Sequence, residues 1–300
     1  MTIKTFFKRP FFHLAGKIAK KMQDFQRNEN AKREKKSDNL WYKKFIEKDF
    51  FQFNLNHDVK INLYKDSVLS RLIYDGFEKQ ETNYLTTVLK SGDVFIDIGA
   101  NIGLFSLLAS KLVGEEGKVI CFEPSLDVFS RLEENILSNN FTNIDCRNIG
   151  LSDKEGELTF YTSKNGHDAW NSFAPSQDDK LEKEIKVEVS TLDSELSDIN
   201  KALIKLVKID VEGWEKFVLN GGRDFFVNFN PIVMVEFTEE NTFNAGYSVY
   251  EIYDLMQSWG YSWYRIIDGK LVREVKKMRY PYANLIAKKE NQMLSNNENE

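Results

Sequence analysis

The stretch Val94–Ala109, VFIDIGANIGLFSLLA, decides the fold. Its first residues are apolar on both sides of a lone Asp97, without the alternation of a half-exposed strand. Such a run predicts a strand covered on both faces, as in a parallel sheet. Gly99, Ala100 and Asn101 then turn the chain, and an apolar helix follows. Gly99 permits the tight turn at the strand's carboxyl end. Gly103 lets the helix approach the strand, or a ligand approach the backbone. The amides at the helix start can hold a negative group. In an open α/β sheet this edge is where ligands bind.

Asp97 sharpens the reading. A carboxylate inside a buried strand is costly unless it is hydrogen-bonded or near a cation. Two cofactor classes use such a loop. Nicotinamide dinucleotides favour G-x-G-x-x-G, whose middle glycine makes room for a pyrophosphate. Here Asn101 takes that position, and the pattern is D-x-G-x-x-x-G. S-adenosylmethionine (SAM) has no phosphate and carries a sulfonium and an ammonium. Asp97, directly or through water, suits such a ligand. Glu123, at the end of the next strand, suits the ribose hydroxyls of either class.

Outward from this stretch the strands and helices alternate. KVICFEP, NIDCRNIGL, LIKLVKIDV and PIVMVEF read as strands. SLDVFSRLEENILSNN, GWEKFVLNGGRDFFVN and YSVYEIYDLMQSWG read as helices. This predicts a parallel sheet with helices on both faces. After the third strand, GELTFYTSK and EIKVEVSTL read as the arms of an antiparallel excursion around a polar loop, NGHDAWNSFAPSQDD. The last segments, YSWYRIID, KLVREV and YANLIAKK, read as antiparallel strands. Before the alternation, VKINLY and SRLIYDGF read as strands and KQETNYLTTVLK as a helix. The expected organisation is a basic, partly helical extension over 1–40, packing elements over 41–92, the main α/β domain over 93–288 and a disordered tail over 289–300.

Of 300 residues, 42% are hydrophobic, enough for one sizeable core. No apolar run reaches the roughly 20 residues of a membrane span, and the start lacks the pattern of a secretory signal. We expect a cytoplasmic protein. Cys121 and Cys146 lie in apolar strands and read as buried free thiols. The net charge is -5, yet residues 1–36 are rich in Lys and Arg. That segment, with Phe6, Phe7, Phe11 and Phe12, reads as a solvated lead-in or as a peripheral contact to membrane or protein. The acidic remainder argues against nucleic acid as a partner.

In order, FIDIGANIGLFS, FEPS, NIGLSDKEG, VSTLDSEL and VKIDVEGWEKFVLNGG closely resemble the FkbM family of SAM-dependent methyltransferases, over about Glu78 to Phe237. The resemblance implies the class I methyltransferase fold: a Rossmann-like, seven-stranded, mostly parallel sheet with an antiparallel last strand. It implies O-methylation of a hydroxyl on a sugar, glycan or related natural product. It implies a SAM loop of Asp97, Gly99, Ala100, Asn101 and Gly103, with Glu123 on the ribose. Asn148 and Ile149 would pack the adenine edge. Asp210, Glu212 and Gly213 would stand beside the transferring methyl, and Glu236 would face the same crevice. The histidine expected close behind Glu236 is missing; Phe237, Thr238 and Glu239 follow instead.

Methyl transfer to a hydroxyl needs alignment and a base. Asp210 and Glu212, two apart on a strand end, can face one side, and their mutual repulsion can raise a pKa to a useful value. Such a pair could also hold Mg²⁺, but no third ligand is evident, so no metal is expected. His167 in the polar loop is a second candidate base. Trp170, Asn171 and Ser172 are candidate substrate contacts; Ser172 could touch SAM instead. The alternatives are a SAM-fold module of a glycan-synthesis complex without turnover, and a nicotinamide oxidoreductase. Neither the acceptor nor the oligomeric state follows from the sequence.

Overall fold

A computed structural model describes residues 37–163, 171–175 and 181–290. The chain divides into two compact units, Met1–Phe51 and Gln52–Glu300. The described part of the first contains a helix over 37–43. The basic segment 1–36 lies outside the described residues, as do His167, Trp170 and the tail from 291.

β1 (Phe50–Asn54) crosses that division and β2 (Lys60–Tyr64) follows. Next come α1 (Val68–Asp75) and α2 (Lys79–Val88). The alternation begins with β3 (Val94–Ile98), α3 (Leu104–Val113), β4 (Lys118–Phe122), α4 (Leu126–Ser138) and β5 (Ile144–Arg147). The excursion is β6 (Gly150–Leu151), β7 (Gly156–Ser163) and β8 (Leu181–Ser190). After α5 (Leu192–Glu195) the alternation resumes with β9 (Ile204–Ile209), α6 (Glu215–Gly221), α7 (Arg223–Phe229) and β10 (Ile232–Phe237). Then come α8 (Glu239–Asn244), α9 (Val249–Ser258), β11 (Ser262–Ile267), β12 (Lys270–Arg273) and β13 (Ala283–Lys288).

The main sheet runs β12-β11-β13-β10-β9-β3-β4-β5. The strands from β10 to β5 are mutually parallel. β3, at their centre, is buried at all five residues, as its unbroken apolar run requires. The expected antiparallel last strand is β13, which enters between β10 and β11. The sheet has eight strands, one more than the expected seven. The added strand is β12, a hairpin partner of β11 at the edge. Its cause is local: Asp268 and Gly269, at φ +48° and +76°, form a two-residue turn whose twist suits a hairpin.

Three local expectations change. SRLIYDGF is helical, as most of α1. Ser67 caps it by accepting the Ser70 amide at 2.9 Å. Gly76, at φ +89°, ends it, with the Gly76 amide on the Ile73 carbonyl and the Phe77 amide on Leu72. Cap and stop outweigh the strand preference of Ile73 and Tyr74. GWEKFVLNGGRDFFVN breaks at Gly222 into α6 and α7, because the Asp193 carboxylate accepts the amides of Asp224 and Phe225 and starts a second helix. NIDCRNIGL is divided between β5 in the main sheet and β6 in the excursion.

The excursion is a separate three-stranded sheet, β6-β8-β7, after the third parallel strand as expected. Phe160, Phe173, Val187 and Val189 form its small core. Trp214, at the start of α6, lies 5.5 Å from Phe173 and stacks on Phe217 at 4.0 Å. That contact brings residues 171–175 over the carboxyl ends of the central strands.

Candidate active site

Strand order reverses between β3 and β9, so their helices diverge and leave a crevice at the carboxyl edge. A cavity of about 440 Å³ opens there, within the usual range for small-molecule sites.

The Gly loop forms its floor. The amides of Gly99 and Ala100 both donate to the Phe122 carbonyl at 3.0 Å. Gly99 has φ +79°, and a Cβ there would lie 1.9 Å from the Asp210 carbonyl oxygen. Only glycine lets β3 turn against the end of β9. Gly103 has another task. A Cβ there would lie 2.7 Å from Leu132 Cδ1 in α4, so it serves helix packing and does not line the cavity.

Glu123 is 5% exposed. It accepts the Asn101 amide at 3.0 Å on one oxygen and the Ser125 amide at 2.9 Å on the other. The expected ribose ligand thus also ties two loops together. Asp97 accepts the Ser106 hydroxyl at 2.6 Å. Its other oxygen is buried without a partner. Burial pushes its carboxyl above the ordinary range, against Lys208 and Ser106, which favour the charged form.

Lys208 is the centre of charge. It projects from β9, 4% exposed, with Nζ 2.7 Å from Asp210 Oδ2. Burial alone would pull its pKa down. The carboxylates of Asp210, Glu78 and Asp97 outweigh this and hold it up. Glu78 accepts from Asn284 Nδ2 at 2.8 Å and from the Tyr282 hydroxyl at 3.3 Å. Burial pushes Glu78 up to about 7.

Beyond Asp210 the chain bends sharply. Glu212 sits at φ +51°. Its Oε2 accepts Asn241 Nδ2 at 2.6 Å, and its carbonyl accepts the Ser172 hydroxyl at 2.7 Å. Glu215 holds the bend by accepting the amides of Val211 and Gly213, each at 3.1 Å. Glu236, at the end of β10, is 7% exposed, and its Oε2 is buried without a hydrogen-bond partner. Glu212 and Glu236 are both raised well above the ordinary range, by burial first and then by neighbouring carboxylates.

Of the expected residues, Asp97, Gly99, Ala100, Asn101, Glu123, Ile149, Asn171, Ser172, Asp210, Glu212 and Glu236 line this cavity. Asn148 does not. It is exposed, and its amide bonds the carbonyls of Glu123 and Pro124. It braces the loop after β4 rather than facing a ligand. Asn171 accepts the Ser163 amide at 2.9 Å, steadying the excursion loop. His167 and Trp170 lie outside the described residues. Lys208, Glu78, Asn241 and Tyr282 were missed. Lys208 was legible, because it lies two residues before Asp210 along the same strand end and so shares its side. Glu78 carries no comparable signal, because folding brings it from far along the chain.

The family model described as "Methyltransferase FkbM domain" matches residues 97–263. A hexuronic acid methyltransferase, AglP of Haloferax volcanii, is 29% identical over 161 residues, 52% of this chain and 61% of that protein. The 2-O-methyltransferase NoeI of Sinorhizobium fredii is 25% identical over 182 residues, 57% of this chain and 73% of that one. The match to Methyltransferase 1 of Beauveria bassiana, 29% identical, covers 47% of this chain and 63% of that protein. The chain thus spans less than two thirds of AglP and of the Beauveria protein. A solved Methyltransferase FkbM from Methylobacillus flagellatus aligns over 73% of this chain and 54% of its own, at 14% identity and a TM-score of 0.42. The matched segment runs from Asp97 at the loop to Trp263 in β11 and includes Asp210, Glu212 and Glu236, and by that match the chain belongs to the FkbM methyltransferase domain family.

Proposed function

We propose that this protein is a SAM-dependent methyltransferase that methylates a hydroxyl of a sugar, glycan or related compound. The observation that carries the reading is the charge of the cavity. Seven carboxylates line it against one ammonium, Lys208, among the described residues. Such a site favours a ligand with net positive charge, and SAM has one.

The residues fit the cofactor. The orphaned oxygen of Asp97 can accept from the ammonium end or an ordered water. Gly99 brings the loop backbone close to the ligand, Glu123 can accept ribose hydroxyls, and Ile149 offers an apolar wall for the adenine. SAM supplies an electrophilic methyl on a cationic sulfur.

The chain's own work is to bind, align and accept a proton. Asp210, Glu212 and Glu236 converge at the end of β9 and β10, where the acceptor hydroxyl would lie. Bound there, the acceptor oxygen would be aligned on the methyl carbon of SAM with the sulfide as leaving group, and the carboxylate cluster would accept the hydroxyl proton. A positioned base of this kind contributes roughly 10²–10⁴-fold. Asn171 and Ser172 lie beside the site and help exclude water. The sugar acceptor class is supported by the name of one relative, a hexuronic acid methyltransferase, and O-methylation by that of the other, a 2-O-methyltransferase.

Calorimetric titration with SAM, S-adenosylhomocysteine and NAD⁺ tests the reading. We expect binding of the first two only, weakened at least about tenfold in Asp97→Asn and Glu123→Gln. Binding of NAD⁺ instead, or of neither nucleoside by the folded wild type, would overturn it.

A further inference from the structure

We propose that Asp210, Glu212 and Glu236 form a binding site for one hard divalent cation, of the Mg²⁺ or Mn²⁺ class, at the acceptor end of the cavity. The inference rests on the proposed methyltransferase reading and names a further ligand of the same site.

The sequence sets Asp210 and Glu212 two residues apart, and the family resemblance sets Glu236 in the same crevice; folding brings the three together. One oxygen from each of Asp210, Glu212 and Glu236 lies within 4.8 Å of the others. Hard cations take oxygen ligands at about 2.0–2.6 Å, which separates ligand oxygens on one ion by up to about 4–5 Å. The spacing therefore suits a single ion.

Glu236 supplies the independent observation. It is 7% exposed, its Oε2 has no hydrogen-bond partner, and it lines the cavity. A buried carboxylate without a partner is expensive. The other five residues of β10 are apolar or aromatic, so packing there does not call for an acid. The nearby Thr238 hydroxyl, also lining the cavity, is likewise buried without a partner. Two unpartnered oxygens thus lie two residues apart where β10 meets the cavity.

The surroundings suit a metal better than a second basic side chain. Lys208 holds one oxygen of Asp210, and Asn241 holds one of Glu212. These bonds orient the carboxylates as outer partners orient metal ligands. A cation here would keep open positions toward the cavity, where an acceptor oxygen can join it. Coordination would acidify that hydroxyl, which would ease its deprotonation by the carboxylate cluster.

The test uses the full chain stripped with chelator and titrated with Mn²⁺ alone, free Mn²⁺ being read by its electron paramagnetic resonance signal. We expect one Mn²⁺ per chain, displaced by Mg²⁺, with affinity reduced at least about tenfold in Glu236→Gln and in Glu212→Gln. Glu116→Gln, remote from the site, is expected to bind as wild type. Thermal melts establish that each variant is folded. No uptake of Mn²⁺ by the folded wild type would overturn the proposal, as would uptake unchanged in a folded Glu236→Gln. SAM titration in parallel separates the two readings. SAM binding without Mn²⁺ uptake leaves the methyltransferase and removes the cation; Mn²⁺ uptake without SAM binding does the reverse.

Discussion

The hydroxyl of Ser172 donates to the backbone carbonyl of Glu212 at 2.7 Å, and the same oxygen accepts the Ala174 amide at 2.9 Å. One side chain thus fastens the excursion loop to the strained residue at the end of β9. Ser172→Ala should destabilise the fold by about 1–2 kcal/mol, the cost of two unpaired buried groups. Methyl transfer should fall at least about tenfold, with SAM affinity changed less than about threefold, because the loop covers the acceptor end. Denaturant melts and single-turnover kinetics check this. Unchanged turnover would show that the loop does not position Glu212.

Gly99 and Gly103 should respond differently to alanine. A Cβ at Gly99 meets backbone, the Asp210 carbonyl at 1.9 Å. A Cβ at Gly103 meets the movable end of the Leu132 side chain at 2.7 Å. Both have positive φ, so alanine at either position carries conformational strain. We expect a loss of about 3 kcal/mol or more for Gly99→Ala and about 1–2 kcal/mol for Gly103→Ala. Gly99→Ala should also abolish SAM binding, which calorimetry reads.

Stability should fall as pH rises toward neutrality. Glu78 and Glu215 are pushed from 4.5 to about 7, chiefly by burial. Between those values the folded chain holds protons that the unfolded chain has released. Stability is then full below about 4.5 and is lost as pH climbs through about 7. We expect the melting temperature of the ligand-free protein to drop by roughly 5 °C between pH 5 and pH 7.5. Glu78→Gln cannot ionise and should flatten part of that slope. A slope of opposite sign would refute this account.

Cys121 and Cys146 face each other in register on β4 and β5. Both are free, as their apolar settings suggested, but only Cys121 is buried. The Cys121 thiol is pushed up by its hydrogen bond with Cys146 and by burial. Cys146 is lowered by the same hydrogen bond and is half-buried. Iodoacetamide at pH 8 should label Cys146 at least about tenfold faster than Cys121 in the native chain. Peptide mapping by mass spectrometry reads the ratio.

The sequence by itself determined the parallel core, the turn at Gly99, and the placement of Asp97, Glu123 and Asp210 at strand ends. Those features are local. A strand's burial shows in its apolar run, and a residue at its carboxyl end must face the crevice of an open sheet. Caps and breaks were local too, yet harder to read. Ser67 and Gly76 make SRLIYDGF a helix, and Asp193 restarts a helix from another part of the chain.

Only the tertiary structure decided how charge is distributed in the site. Glu78 reaches Lys208 because α2 packs beside the crevice, and Glu236 reaches Asp210 and Glu212 because β10 lies next to β9. No spacing in the chain encodes those meetings. They arise when strands distant in sequence are paired, and burial then turns a set of ordinary carboxyls into one interacting group. The sequence placed acids at the edge; packing made them a cluster with one lysine and an unpartnered oxygen, because removal from water is what makes each charge depend on the others.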